Sequence, residues 1–134
     1  MGMKIGITRG IDQALVEEAA RAAPHEACGL LLGGADGVIA RIVPCANVAP
    51  DPARHFELDP APLIAALKAE RAGGERVIGY YHSHPTGESL PSATDAAMAA
   101  HDGRIWAIVA GETLGWWRDT ADGFERLCTM AVQG

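Results

Sequence analysis

Two apolar runs constrain this chain more than any other feature: residues 28–32, Cys-Gly-Leu-Leu-Leu, and 105–110, Ile-Trp-Ala-Ile-Val-Ala. Both have the length of a strand buried on two faces. Both fall far short of the roughly 20 apolar residues that a membrane span needs. Strands of this kind need helices to cover them, and the flanking sequence supplies candidates. Ile11, Leu15, Ala19 and Ala22 recur at helical spacing, predicting an amphipathic helix over residues 11–23 that Pro24 stops. A second helix follows Asp59, with Leu63, Ile64 and Leu67 as its stripe and Gly73-Gly74 at its end. A third is expected over residues 92–101.

The remaining elements read as strands and turns. Asp36-Gly37 lies between the run at 28–32 and residues 38–43, a hairpin signal. Residues 46–60 hold Pro50, Pro52 and Pro60 and read as loop, with a short strand at 55–58. Residues 76–84 read as a strand closed by Pro85. Residues 114–118 and 124–132 form a strand pair joined at Asp122-Gly123. Mixed strands and helices favour one mixed sheet with helices on its faces, in a single domain over residues 1–134.

Composition narrows the function. With 49% hydrophobic and 21% charged residues the chain is globular rather than disordered. A net charge of -6 offers no basic footprint for nucleic acid. The N-terminus lacks a basic region followed by an apolar stretch, so no signal peptide is expected. Cys28, Cys45 and Cys128 are odd in number, lack CxxC spacing and sit among apolar residues. They read as buried free thiols in a reducing cytoplasm. Abundant alanine, and arginine in preference to lysine, suggest a GC-rich bacterial genome.

The chemistry concentrates in residues 80–95, Tyr-Tyr-His-Ser-His-Pro-Thr-Gly-Glu-Ser-Leu-Pro-Ser-Ala-Thr-Asp. On a strand His82 and His84 share a face, with alpha carbons roughly 6.5 Å apart, so both imidazoles can converge on one ion. Asp95 is the candidate third ligand. Two histidines and a carboxylate leave zinc a fourth, open position, the mark of a catalytic site. Simpler readings exist for each part. Paired histidines also occur on solvent faces. Ser92-Ala93-Thr94-Asp95 resembles a capping box, with Ser92 capping a helix and Asp95 in its first turn. That accounts for Ser92 and Asp95 without metal, but not for the histidines. Glu26 is either a proton shuttle or a solvated turn carboxylate. His25 reads as a surface residue, and His55 and His101 as structural or exposed.

Taken together, Glu26, His82-Ser83-His84-Pro85, six residues, Ser92, two residues and Asp95 resemble the signature of the JAMM (MPN-plus) metalloprotease family. That signature is Glu, then His-x-His, ten residues and Asp, with Pro after the second His and Ser three before the Asp. The likeness extends to Glu26-Ala27-Cys28-Gly29-Leu30-Leu31, to Arg54-His55-Phe56 and to the helix after Asp59-Pro60. It is closest to short stand-alone bacterial members. The resemblance implies an α+β fold, a curled and mainly antiparallel mixed sheet flanked by helices and related to the cytidine deaminases. It implies one zinc per chain on His82, His84 and Asp95. Glu26 would be the general base that serves the attacking water, and Ser92 would help hold the oxyanion.

Three functions compete. A zinc peptidase or isopeptidase leads. A catalytically silent MPN-type scaffold is disfavoured because every signature residue is intact. A nucleobase deaminase would need His-x-Glu with Pro-Cys-x-x-Cys, which the chain lacks. Bacterial relatives are associated with small ubiquitin-like sulfur-carrier proteins ending in Gly-Gly, so the implied partner is such a C-terminus, or a peptide. The strand that ends in the histidines is expected beside a free sheet edge where an extended peptide can add.

Overall fold

The computed structural model describes residues 3–133. Among them, β1 (Met3–Thr8), β2 (Cys28–Gly33), β3 (Ile39–Cys45), β4 (Arg76–Ser83), β5 (Ile105–Ala110), β6 (Thr113–Thr120) and β7 (Gly123–Val132) form one sheet. It closes in the order β1-β3-β2-β4-β5-β6-β7. Four of its pairs are antiparallel, β2 with β3 and β4, and β6 with β5 and β7. The parallel pairs are β4 with β5 and β1 with β7 and β3. The expected curled, mainly antiparallel sheet is thus curled to closure.

Side-chain alternation divides the sheet into two environments. On one face α1 (Ile11–Ala22) lays Ile11, Leu15 and Ala19 into a core with Leu31, Tyr81, Ala107 and Val109. On the other, Cys28, Trp106, Ile108 and Trp117 pack with Phe56. The register Cys28↔His82↔Ile108↔Gly115 runs across β2, β4, β5 and β6. Residues opposed in register share a face, so His82 joins the second environment. α2 (Pro60–Arg71) covers part of that face by packing Leu63 and Leu67 against Leu30, Leu32 and Val77.

Local chemistry sets the element ends. Asp59 Oδ1 accepts from the Ala61 amide at 3.1 Å, Pro60 opens α2, and Gly73 follows its end at φ 94°. The β2–β3 turn closes through Gly37, which at φ 77° donates to the Gly34 carbonyl. α3 (Ala93–Met98) is shorter than expected. Beyond it the His101 amide donates to Asp119 Oδ2 at 2.9 Å, drawing the chain off the helical path towards β6.

Several sequence expectations are corrected. β1 was not anticipated; its partner β7 lies at the other end of the chain, a pairing no local pattern encodes. Residues 55–58 contribute only an isolated bridge, Asn47↔Leu58. Ile64 is 52% exposed because α2 meets the sheet along a narrower stripe. Of the cysteines only Cys28 is buried; Cys45 is half-buried and Cys128 exposed. Strand alternation points Leu127 inward and Cys128 out. Finally, β4 lies between β2 and β5, so no free edge borders the strand that carries His82.

Candidate metal centre

β4 delivers His82 to the sheet's second face, where it is wholly buried. The ladder to β5 runs one residue past the strand, with the His84 amide donating to the Val109 carbonyl at 2.8 Å before Pro85 turns the chain away. The turn returns at Ser92, which caps α3. Its Oγ accepts from the Asp95 amide at 3.0 Å, while Asp95 Oδ2 accepts from the Ser92 amide at 2.9 Å. The capping box is therefore real. It also aims the Asp95 carboxylate at both histidines: Oδ1 lies 3.0 Å from His82 Nε2 and Oδ2 3.1 Å from His84 Nε2. The structural and chemical readings of Asp95 are the same arrangement.

The two Nε2 atoms are 3.1 Å apart. Donors at 2.0–2.1 Å around a tetrahedral ion stand roughly 3.3 Å from one another, so these three side chains already sit close to the spacing that zinc requires. They form a group able to hold a metal ion. The ring orientations have different causes. A carbonyl can only accept, so His84 Nδ1 carries a proton and donates it to the Glu88 carbonyl at 2.6 Å, which turns Nε2 towards His82 and Asp95. His82 is oriented by packing instead. Phe56 stacks on its ring at 4.3 Å and Trp106 meets it edge-on at 5.6 Å, while its Nδ1 has no hydrogen-bond partner among the described residues.

The electrostatics differ between the two rings. Burial pushes the His82 pKa down, keeping the ring neutral and its nitrogen available. Burial also acts on His84, but bonds to Asp95 and the Glu88 carbonyl outweigh it and raise the pKa. Asp95 is buried, yet hydrogen bonds from His82, His84 and the Ser92 amide hold its carboxyl well below the usual range.

Glu26 lines one cleft of about 330 Å³ with His84, Ser92 and Arg54. It is 7% exposed, and burial, reinforced by Asp95 and opposed by His84, raises its pKa from 4.5 to about 7. It is no solvated turn carboxylate. Its segment is anchored from several sides. The Glu26 backbone amide donates to the Pro52 carbonyl at 2.7 Å, and the Asn47 side-chain Nδ2 donates to the Glu26 carbonyl at 3.0 Å. Ser83 Oγ accepts from the Ala27 amide at 2.7 Å, tying the neighbouring residue to the histidine strand.

Sequence reasoning missed these supports. Asn47, Ser83, Phe56 and the Glu88 carbonyl act through positions distant in sequence or through backbone atoms. The only prior signal was the likeness of Arg54-His55-Phe56 to a family segment. Within it Phe56 is buried, His55 is exposed, and Arg54 is exposed, 3.8 Å from Asp51. His25 is exposed as expected. His101 is exposed, its Nδ1 donating to the Thr120 carbonyl at 2.8 Å, away from the centre.

Comparison with known proteins agrees with fold and site. A family profile of prokaryotic homologs of the JAB domain matches residues 8–120. The chain is 36% identical to a desampylase of Haloferax volcanii over 121 residues, covering 87% of this chain and 85% of that one. It is 36% identical over 98 residues to a probable TtuB-protein conjugate cleaving protease of Thermus thermophilus, covering 73% and 65% of the two chains. The solution structure of a protein from Desulfitobacterium hafniense superposes with a TM-score of 0.84 at 28% identity, covering 97% of this chain and 94% of that one. The chain belongs to the JAMM (JAB/MPN) metalloprotease family, in its prokaryotic branch. It is a hydrolase.

Proposed function

We propose that this protein is a zinc-dependent isopeptidase that cuts after the Gly-Gly tail of a small ubiquitin-like, sulfur-carrier-type protein. The observation that carries the proposal is the meeting of His82 Nε2, His84 Nε2 and the Asp95 carboxylate within about 3.1 Å, in reach of a cleft lined by buried Glu26. His82, His84 and Asp95 would hold one zinc per chain. When bound, zinc supplies Lewis acidity, polarising the scissile carbonyl and lowering the pKa of water towards about 7.

The chain's own residues divide the rest of the work. Glu26 takes the proton of the attacking water and passes it to the leaving amine. A carboxylate whose pKa lies near the working pH is suited to both transfers. Ser92 Oγ uses a lone pair in capping, so its proton remains free to donate to the developing oxyanion. Phe56 and Trp106 wall the site, excluding water from the buried side of His82.

The substrate reading draws on the relatives and on steric limits. Val48 and Asp59 donate across the Asn47↔Leu58 bridge to the carbonyls of Glu57 and Ala46. The backbone groups of Phe56 and Leu58 therefore point the other way, where an extended tail can align. Residues beside the metal would clash if they carried side chains, and Gly-Gly carries none. The odd, unpaired cysteines support a reducing cytoplasm as its setting. The test is mass spectrometry of a carrier protein extended beyond Gly-Gly, beside a variant with bulky residues in place of the glycines. Cleavage after Gly-Gly in the first alone is expected. Equal cleavage of both would make this a general peptidase.

A further inference from the structure

The turn between the proposed ligands, residues 85–91, is fixed from the far side by the sheet. Gly115 lies in the cross-strand row that contains His82, two strands away and on the same face. A Cβ built at Gly115 would lie 2.1 Å from the Ser89 carbonyl oxygen and 2.8 Å from the Trp117 Nε1. Only glycine leaves this hollow. Trp117, two residues along β6 and so on the same face, donates its indole N–H to that carbonyl at 3.2 Å. Ser89 itself is 8% exposed. One residue earlier, the Glu88 carbonyl receives the His84 Nδ1 proton.

We propose that Gly115 and Trp117 are positioning residues for the metal: by seating the Ser89 carbonyl on the sheet, they place the Glu88 carbonyl that locks the His84 ring with Nε2 towards the ion. This rests on the reading of His84 as a ligand. The strand pair β5–β6 thereby acts on metal affinity without contributing a donor atom. Removing an outer-shell partner of a ligating histidine typically weakens metal binding 10–100-fold, and that range is expected here.

Zinc affinity is measured by competition with a chromogenic chelator for wild type, Trp117→Phe and Gly115→Ala, each at a temperature where its near-ultraviolet circular dichroism shows it folded. Trp117→Phe removes the N–H and keeps an aromatic ring. Gly115→Ala keeps the indole and fills the hollow. Leu127→Ala, a core truncation on the other face, controls for lost stability alone. Both β6 variants are expected to bind zinc about 10–100-fold more weakly and Leu127→Ala as wild type. In the zinc-loaded variants the His84 Nδ1 proton, followed by NMR, should exchange with solvent faster than in wild type. Wild-type affinity in both β6 variants overturns this inference alone. Absence of zinc binding by the wild type overturns the ligand assignment and this inference with it. Weakening in Leu127→Ala equal to that in the β6 variants reduces the effect to stability and also overturns it.

Discussion

Residues 82–95 and the seam between β1 and β7 use sequence distance in opposite ways. The three candidate ligands lie within fourteen residues, and the turn that joins them is capped, proline-bounded and hydrogen-bonded to itself. The seam joins Met3–Thr8 to the strand ending at Val132, across nearly the whole chain, through six paired residues in parallel register. In the first region single side chains belong to both the fold and the candidate site. Asp95 completes a capping box and meets two imidazoles; Ser92 caps α3 and faces the cleft. In the second, Ile5 and Ile7 only fill a core. Substitutions in the turn should therefore reach metal binding or turnover, and substitutions at the seam stability alone.

The largest expected effect tests the first half of that contrast. Asp95→Asn keeps an oxygen for the Ser92 amide but removes the charge between the histidines. Zinc affinity should fall at least about a hundredfold, with only a small change in the urea midpoint of the metal-free protein. Unchanged zinc content, by metal analysis of the purified variant, would remove Asp95 from the site. At the seam, Ile7→Ala should cost about 2–5 kcal/mol in urea denaturation and leave zinc affinity unchanged. A variant that loses both would tie barrel closure to the metal.

Smaller effects sharpen the comparison. Ser92→Ala should destabilise by about 1 kcal/mol through the lost cap. It should also lower kcat by the equivalent of about 2–4 kcal/mol. A stability loss without a rate loss would leave Ser92 a cap only. Glu26 supplies a pH signature in the metal-free protein. Its folded pKa, about 7, lies above the ordinary 4.5, so the protonated carboxyl stabilises the fold at low pH and that stability is lost as pH rises through about 7. Metal-free Glu26→Gln should match wild type below about pH 4 and exceed it increasingly from pH 5 to 8, read from urea midpoints. Equal midpoints throughout would mean that Glu26 is not held in a desolvating site.

The same contrast explains what could be read beforehand. The strands at 28–32 and 105–110, the helix of Ile11, Leu15 and Ala19, and the capped start after Asp59 follow from local periodicity and end chemistry. Each lies where expected. The spacing from His82 to Asp95 was equally local. β1 escaped because Ile5 and Ile7 gain a partner only when the chain's two ends meet. Ile64 and Cys128 were misjudged because apolar neighbours do not reveal which face a neighbouring element covers. Gly115 escaped for a related reason: its need for no side chain arises from a carbonyl that belongs to residue 89. The supports of Glu26 from Asn47, Pro52 and Ser83 are likewise long-range, and all three engage only backbone atoms of its segment.

The most direct test of the account separates the holding of metal from the movement of protons. Zinc content and turnover of a carrier protein extended past Gly-Gly should be measured side by side for wild type and Glu26→Gln. Glu26→Gln should keep wild-type zinc and show a kcat at least about a hundredfold lower, the low end for loss of a general acid–base. Near-wild-type turnover with full zinc would contradict this separation, as would loss of the metal.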